Sequence, residues 1–192
     1  MNFNKGKLRI IGGRYRSRLL RVPARPGLRP TPDRVRETLF NWLGQSLDGL
    51  ACLDLYAGSG ALGFEAASRG ARRVVMVEKD RVALTELERN RDMLEANQVE
   101  IVRGDAADYL LRERERFDVV FLDPPFRQNA LPDVLANVGA RLQPQARVYV
   151  ESESALPVVP PWIELKRAKA GQVSYQLLQW VGHDQGGISG NV

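Results

Sequence analysis

Cysteine and histidine are almost missing. The 192 residues hold one of each, Cys52 and His183. A single cysteine excludes an internal disulfide, and so few soft ligands leave no His/Cys cluster for zinc, so no metal is expected. Long apolar runs are missing too. None approaches the roughly 18 residues of a membrane-spanning helix, so no membrane partner is expected. The opening MNFNKGKLRI is basic but lacks the apolar stretch of a secretory signal. These absences point to a reduced, metal-free cytoplasmic protein, with a monomer as the default state.

Acid is missing from one end only. Residues 1–32 carry Lys5, Lys7, Arg9, Arg14, Arg16, Arg18, Arg21, Arg25 and Arg29 and no Asp or Glu. The whole chain is +5, so the other 160 residues sum to −4. A cationic arm on a mildly acidic body suits a polyanion, because each neutralised phosphate releases counterions. The remaining composition, 44% apolar and 27% charged, is that of one globular domain with a small appendage.

Within the arm, KLRIIGGRYRSRLLRVP predicts two short strands around Gly12-Gly13, a hairpin. ARPGLRPTP is an extended linker stiffened by proline. Asp33 then stands as a capping residue before RVRETLFNWLG, a helix with Val35, Leu39, Trp42 and Leu43 near one face and Gly44 near its end. From residue 51 strands and helices alternate. Strands are expected at 51–56, 73–78, 99–103, 118–122 and 146–151, and helices at about 61–69, 81–96, 106–115 and 130–142. Strands apolar on both faces imply a parallel sheet covered by helices on both sides. Strands at 162–168 and 173–181, separated by a tight turn at Gly171, should form an antiparallel hairpin at the sheet edge. The chain divides into a basic arm and linker (1–32), one catalytic-type domain (33–181) and an aperiodic tail (182–192), expected to be disordered.

CLDLYAGSGALGFEAASRG holds Gly58, Gly60 and Gly63 between a strand and a helix, and Glu78 closes the next strand twenty residues after Gly58. Glycines allow a tight turn and close approach to a ligand, and a carboxylate at the second strand's end can hold two ribose hydroxyls. That much also describes a dinucleotide site. Asp54 inside the first strand and Asp105 after the third argue otherwise, since acids there would repel a pyrophosphate. S-adenosylmethionine carries no phosphate and is cationic. Asp54 can orient its methionine end, Glu78 its ribose, and Asp105 the adenine amino group. Asp105 is equally placed to cap the helix beginning AADYLLRE.

FDVVFLDPPF, residues 117–126, ends a buried strand in Asp123, Pro124, Pro125 and Phe126. An exocyclic amino group on a base is a poor nucleophile because its lone pair is delocalised into the ring. It needs two acceptors that take both N–H hydrogens and turn the lone pair toward the methyl donor. The Asp123 carboxylate supplies one and the Pro124 carbonyl, aimed by the following proline, supplies the other. Phe126 offers a stacking face for a base that has left its own stack.

The set LDLYAGSGALGFEA, VEKD, GDA and DPPF resembles the class I S-adenosylmethionine-dependent amino-methyltransferases. GGRYRSRLLRVP, RPTPDRVRETLFNWL and GQVSYQLL narrow the resemblance, over about residues 8–181, to the RsmD family. The resemblance implies a Rossmann-like α/β fold with a seven-stranded, mostly parallel sheet, helices on both faces and a small basic N-terminal hairpin. It implies methylation of N2 of one guanine in 16S ribosomal RNA, in assembled or partly assembled small subunits. Asp54, Tyr56, Gly58, Gly60, Glu78, Asp105 and Ala106 would surround the cofactor, and Asp123 to Phe126 the methyl. Arg14, Arg16, Arg18, Arg29 and Arg34 are expected to grip RNA phosphates near the target, although Arg34 and Arg36 could equally strap a helix in place. Rival readings are a DNA adenine-N6 methyltransferase, a protein glutamine-amide methyltransferase and a non-catalytic RNA-binding assembly factor on the same fold. A nicotinamide dehydrogenase lacks an acid/base, since His183 falls in the tail.

Overall fold

The computed structural model describes residues 6–23, 30–125 and 131–182. Arg29, Phe126 and the tail after Gly182 lie outside the described residues.

A two-stranded hairpin, β1 (Lys7–Arg9) and β2 (Leu19–Arg21), opens the chain. It is followed by α1 (Asp33–Trp42), β3 (Ala51–Asp54), α2 (Ala61–Ser68), β4 (Arg73–Glu78), α3 (Arg81–Leu94), β5 (Val99–Arg103) and α4 (Ala106–Arg112). Then come β6 (Phe117–Leu122), α5 (Leu131–Val138), β7 (Leu142–Ser152), β8 (Trp162–Ala170) and β9 (Val173–Trp180). The main sheet has seven strands in the order β5-β4-β3-β6-β7-β9-β8. β5 to β7 run parallel, while β9 pairs antiparallel with both β7 and β8. The chain builds outward from β3 to β5, then crosses back to lay β6 against the other side of β3. That reversal opens a crevice at the carboxyl ends of β3 and β6, where ligands bind in open α/β sheets.

Period-two alternation sorts the core into two layers. Cys52, Val74, Met76, Val119, Phe121 and Tyr149 face one layer with α1, α2, α3 and the hairpin. Leu53, Val75, Val77, Val120, Leu122, Val148 and Val150 face the other with α4 and α5. Central strands buried on both faces explain why their sequences read as continuous apolar runs.

Several elements differ from expectation. Asp33 does not cap α1. Pro32 occupies the cap position, its ring has no acceptor for the first-turn N–H groups, and the Asp33 carboxylate instead accepts from Arg36 Nη2 at 2.6 Å. α4 stops at Arg112 because the Glu113 carboxylate folds back to accept from the Arg114 and Glu115 N–H groups, at 2.7 and 2.9 Å. α5 ends at Val138 and tightens into a 3₁₀ turn, Gly139–Arg141. β7 starts four residues earlier than the polar LQPQ suggested. Phe117 pairs with Leu142, and the strand resumes register at Val119–Arg147 after an irregularity containing Gln145 at φ 60°.

A buried carboxylate straps the arm to the body. Glu65 of α2 is fully buried and accepts from the Ile11 and Gly12 N–H groups at 2.9 and 2.8 Å. It also accepts from Arg36 Nη1 at 3.2 Å and Arg69 Nε at 3.0 Å. Arg36, itself buried, donates onward to the backbone carbonyls of Arg9 and Thr31, at 2.8 and 3.2 Å. A carboxylate in that position is tolerable only because two guanidiniums and two amides compensate its lost hydration. On β2, Asn90 of α3 both accepts from Arg21 N and donates to Arg21 O, each at 2.9 Å, copying a strand partner.

Candidate active site

Each of the five parallel strands delivers one carboxylate at its carboxyl end. Asp54 and Glu78 are the last residues of β3 and β4. Asp123 follows β6 directly, and Asp105 stands two residues beyond β5. Glu151 is the penultimate residue of β7. Parallel pairing places these ends side by side, so one edge of the sheet becomes a row of acid.

The turn after β3 shapes the middle of the row. Gly58 and Gly60 have φ of 51° and 78°, a left-handed backbone in which a side chain is strained. The Gly58 N–H donates to Glu78 Oε2 at 2.9 Å, while Lys79 and Asp80 N–H groups donate to Oε1 at 2.9 and 2.8 Å. These three amides fix the Glu78 carboxylate under the glycine turn. Packing supplies a second reason for two of the glycines. A Cβ on Gly60 would stand 2.6 Å from Leu87 and Phe64, and one on Gly63 2.4 Å from Met76. The third glycine of the motif therefore seats α2 on β4 rather than meeting a ligand.

Asp54 is 2% exposed and accepts from the Gly63 N–H at 3.1 Å. Burial pushes its carboxyl up to about 7, Glu78 adds to the rise, and amides of Tyr56 and Gly63 oppose it. Tyr56 is half-buried beside the second core layer, and burial followed by the Asp105 charge raises its phenol to about 12. Asp105 caps α4 by accepting from Ala107 N at 3.0 Å, and its other oxygen stands 3.7 Å from Lys79 Nζ. The capping role is thus realised, with one face of the carboxylate still half exposed. Ala106 is buried as the first residue of α4.

At the β6 end, burial pushes the Asp123 carboxyl well above the usual range, with the charges of Glu151 and Asp54 adding to the effect. Glu151 is raised as well, chiefly by burial. The Thr31 side chain, close to both carboxylates, opposes both rises. Pro124 is buried and Pro125 exposed. Sequence reasoning missed Glu151 and Thr31. The signal for Glu151 was an acid closing an otherwise apolar strand, the same mark carried by Asp54 and Glu78. Thr31 carried none, since RPTP reads as linker. Among the described residues no group of His, Cys, Asp and Glu stands close enough to hold a metal ion, and no helix is long and apolar enough to cross a membrane.

The exposed arginines are spread along the molecule. Arg34 lies on α1 three residues after Thr31, beside the crevice. Arg14 and Arg16 lie in the hairpin loop where Arg14 N donates to Ser68 O at 2.6 Å, at the far end of α2. Arg18 reaches the Met93 carbonyl near the end of α3, at 3.2 Å. An eight-residue helix is about 12 Å long, so Arg14 and Arg16 stand about that far from the acid row. A cleft of about 450 Å³ lies between loop and helix, lined by Gly12, Gly13, Arg16, Glu37, Asn41 and Gln45 among others. It contains none of the five carboxylates, and we place the chemistry with them because the reacting groups gather there.

A family model described as conserved hypothetical protein 95 matches residues 8–179. Ribosomal RNA small subunit methyltransferase D of Escherichia coli K12 is 46% identical over 179 residues, 91% of this chain and 90% of that one. The chain belongs to the RsmD family of methyltransferases. The RsmD-family protein of Haemophilus influenzae, named in the same way, is 43% identical over 183 residues, 91% of this chain and 95% of that one. The solved Escherichia coli protein yhhF has a TM-score of 0.84 at 43% identity, over 92% of this chain and 99% of that one. Its fold is the class I methyltransferase fold, as the strand order with its antiparallel edge hairpin also shows. An RsmD-family enzyme needs a methyl donor, and a row of carboxylates suits a cationic one.

Proposed function

We propose that the chain transfers a methyl group from S-adenosylmethionine to the exocyclic N2 of one guanine in 16S ribosomal RNA, within assembled or partly assembled small subunits of the cytoplasm. The observation that carries this reading is the acid row, with Asp123-Pro124-Pro125 next to its central member Asp54. When bound, S-adenosylmethionine supplies a methyl group on a positively charged sulfur. Asp54 would hold the methionine end, Glu78 the ribose diol and Asp105 the adenine amine, and Tyr56, Gly58, Gly60 and Ala106 would form the surrounding wall. Each charge-assisted hydrogen bond of this kind is worth about 1.5–3 kcal/mol.

Asp123 and the Pro124 carbonyl accept the two N–H bonds of the guanine amine and leave its lone pair aimed across the crevice. Rate comes from this alignment and from excluding water. Phe126, outside the described residues, is the proposed stacking face. Arg34 at the crevice mouth, Arg14 and Arg16 at the far end of α2 and Arg18 near the end of α3 would hold RNA phosphates along an extended track, with Arg29 between them in sequence. The α1 cleft, with Arg16 on its wall, lies on the same track. The enzyme is proposed to act as a monomer.

The test is methyl transfer from labelled cofactor to naked 16S RNA and to small subunits from cells lacking the endogenous enzyme, followed by nuclease mapping. Label in a single N2-methylguanine is expected. Label on DNA adenine or protein glutamine would overturn the RNA reading, and cofactor binding without any transfer would favour an assembly factor.

A further inference from the structure

Register makes Asp123 and Glu151 neighbours. Leu122 pairs with Val150 across parallel β6 and β7, so the next residue of each strand is an acid, and the two stand side by side. Glu151 is 6% exposed, and the buried Tyr149 hydroxyl donates to its Oε1 at 2.8 Å. Thr31 is equally buried, and its side chain lies close to both acids. The other titratable groups facing the pair are Asp54 from β3 and Tyr175 from β9, whose ring lies 6.3 Å from that of Tyr149. Among the described residues no Lys or Arg forms an ion pair with either carboxylate.

Two adjacent carboxylates without a cation cannot both ionise cheaply. The Tyr149 hydroxyl stabilises ionised Glu151, so the proton that the pair retains goes to Asp123 and must leave before Asp123 can take an amine hydrogen as a bare carboxylate.

We propose that Glu151 is a positioning residue whose charge, favoured by the Tyr149 hydroxyl, sets the pH at which Asp123 gives up the pair's shared proton and meets the base amine as a carboxylate. The inference rests on Asp123 accepting from the amine, as argued above. After transfer the methylated nitrogen carries one hydrogen too many, and that proton passes to the Asp123 carboxylate. Asp123 then returns that proton to solvent, and the C–S bond broken in the transfer leaves a neutral thioether, which balances the reaction. Arg36 completes the arrangement by fixing the Thr31 carbonyl, which ties the arm's anchor to the geometry of the acid pair.

The test is the pH dependence of turnover on small subunits at saturating S-adenosylmethionine, so that cofactor-linked protons do not register. Glu151→Gln mimics a permanently protonated Glu151 and leaves Asp123 to titrate alone. The acidic limb of its profile should move down by about one pH unit or more. Tyr149→Phe removes the hydroxyl that favours ionised Glu151, and should shift the limb the same way by a smaller amount. Thr31→Val removes a hydroxyl that opposes both rises and should move the limb up, and Thr31→Ser should restore it. Melting temperatures and cofactor titration confirm that each variant is folded. If Asp123→Asn is inactive yet the limb stays in place in both Glu151→Gln and Tyr149→Phe, the shared-proton role falls while Asp123 keeps its place. If Asp123→Asn turns over normally, both fall together.

Discussion

Asp54 should make cofactor binding depend on pH. Its carboxyl rises from 3.8 to about 7, because burial removes water and Glu78 stands close. Three units at 1.36 kcal/mol each is about 4 kcal/mol favouring the neutral form in the empty protein. The folded state therefore holds this proton more tightly than the unfolded chain. Its stabilising effect is complete below about pH 4 and is lost as pH climbs through about 7. A cationic ligand inverts the preference and needs Asp54 ionised, so binding below pH 7 must expel a proton. From pH 5.5 to 7 the ionised fraction rises about fifteenfold, and the Kd for S-adenosylmethionine should fall by about that factor. This window stays below the titration of the ligand's own amino group. Calorimetry at pH 6 in two buffers of different ionisation enthalpy should register close to one proton released. In Asp54→Asn the slope and the buffer dependence should vanish, with affinity at pH 7 also reduced. A flat wild-type profile, or an unchanged slope in the Asn variant, would refute the assignment.

Three other outcomes are expected. Glu65→Gln leaves Arg36 and Arg69 short of a buried counter-charge, so stability should fall by about 3–5 kcal/mol, a urea midpoint lower by about 1 M or more; a loss below about 1 kcal/mol would mean the strap is not anchored there. Asp123→Ala should slow methyl transfer by about 10²–10³ while cofactor Kd holds, as single-turnover rates and titration would show; wild-type turnover would remove Asp123 from the mechanism. Replacing Arg14, Arg16 and Arg18 together with Gln should weaken RNA binding and reduce the log–log salt slope by about 2–3, whereas a fall in cofactor affinity would make the loop a structural strap.

Much of the fold and part of the site could be read in one dimension, for reasons that differ residue by residue. The bounds of β4 and β5 were legible because period-two and continuous apolar runs are local signals ended by charge and turn residues. Asp54, the glycine turn and Glu78 were legible because strand, turn and helix follow each other in sequence, so their chemistry is adjacent before folding. The start of β7 was not, since a polar, proline-containing stretch becomes strand only through pairing with Phe117. Nor was Asp33's part in the arm anchor, because its partner at i+3 is oriented by a helix that had first to form.

What the sequence by itself determined is the alternation of strands and helices, the acid at each strand's end and the positive charge of the arm. All of these are written in residue order and in period. The tertiary structure alone decided which acids became neighbours. Asp123 and Glu151 are 28 positions apart, and Thr31 lies 92 positions before Asp123. Only the parallel register of β6 and β7, with Arg36 and Glu65 pinning the arm beneath them, brings the three together. Burial then gives them an electrostatic character that no local stretch of chain encodes.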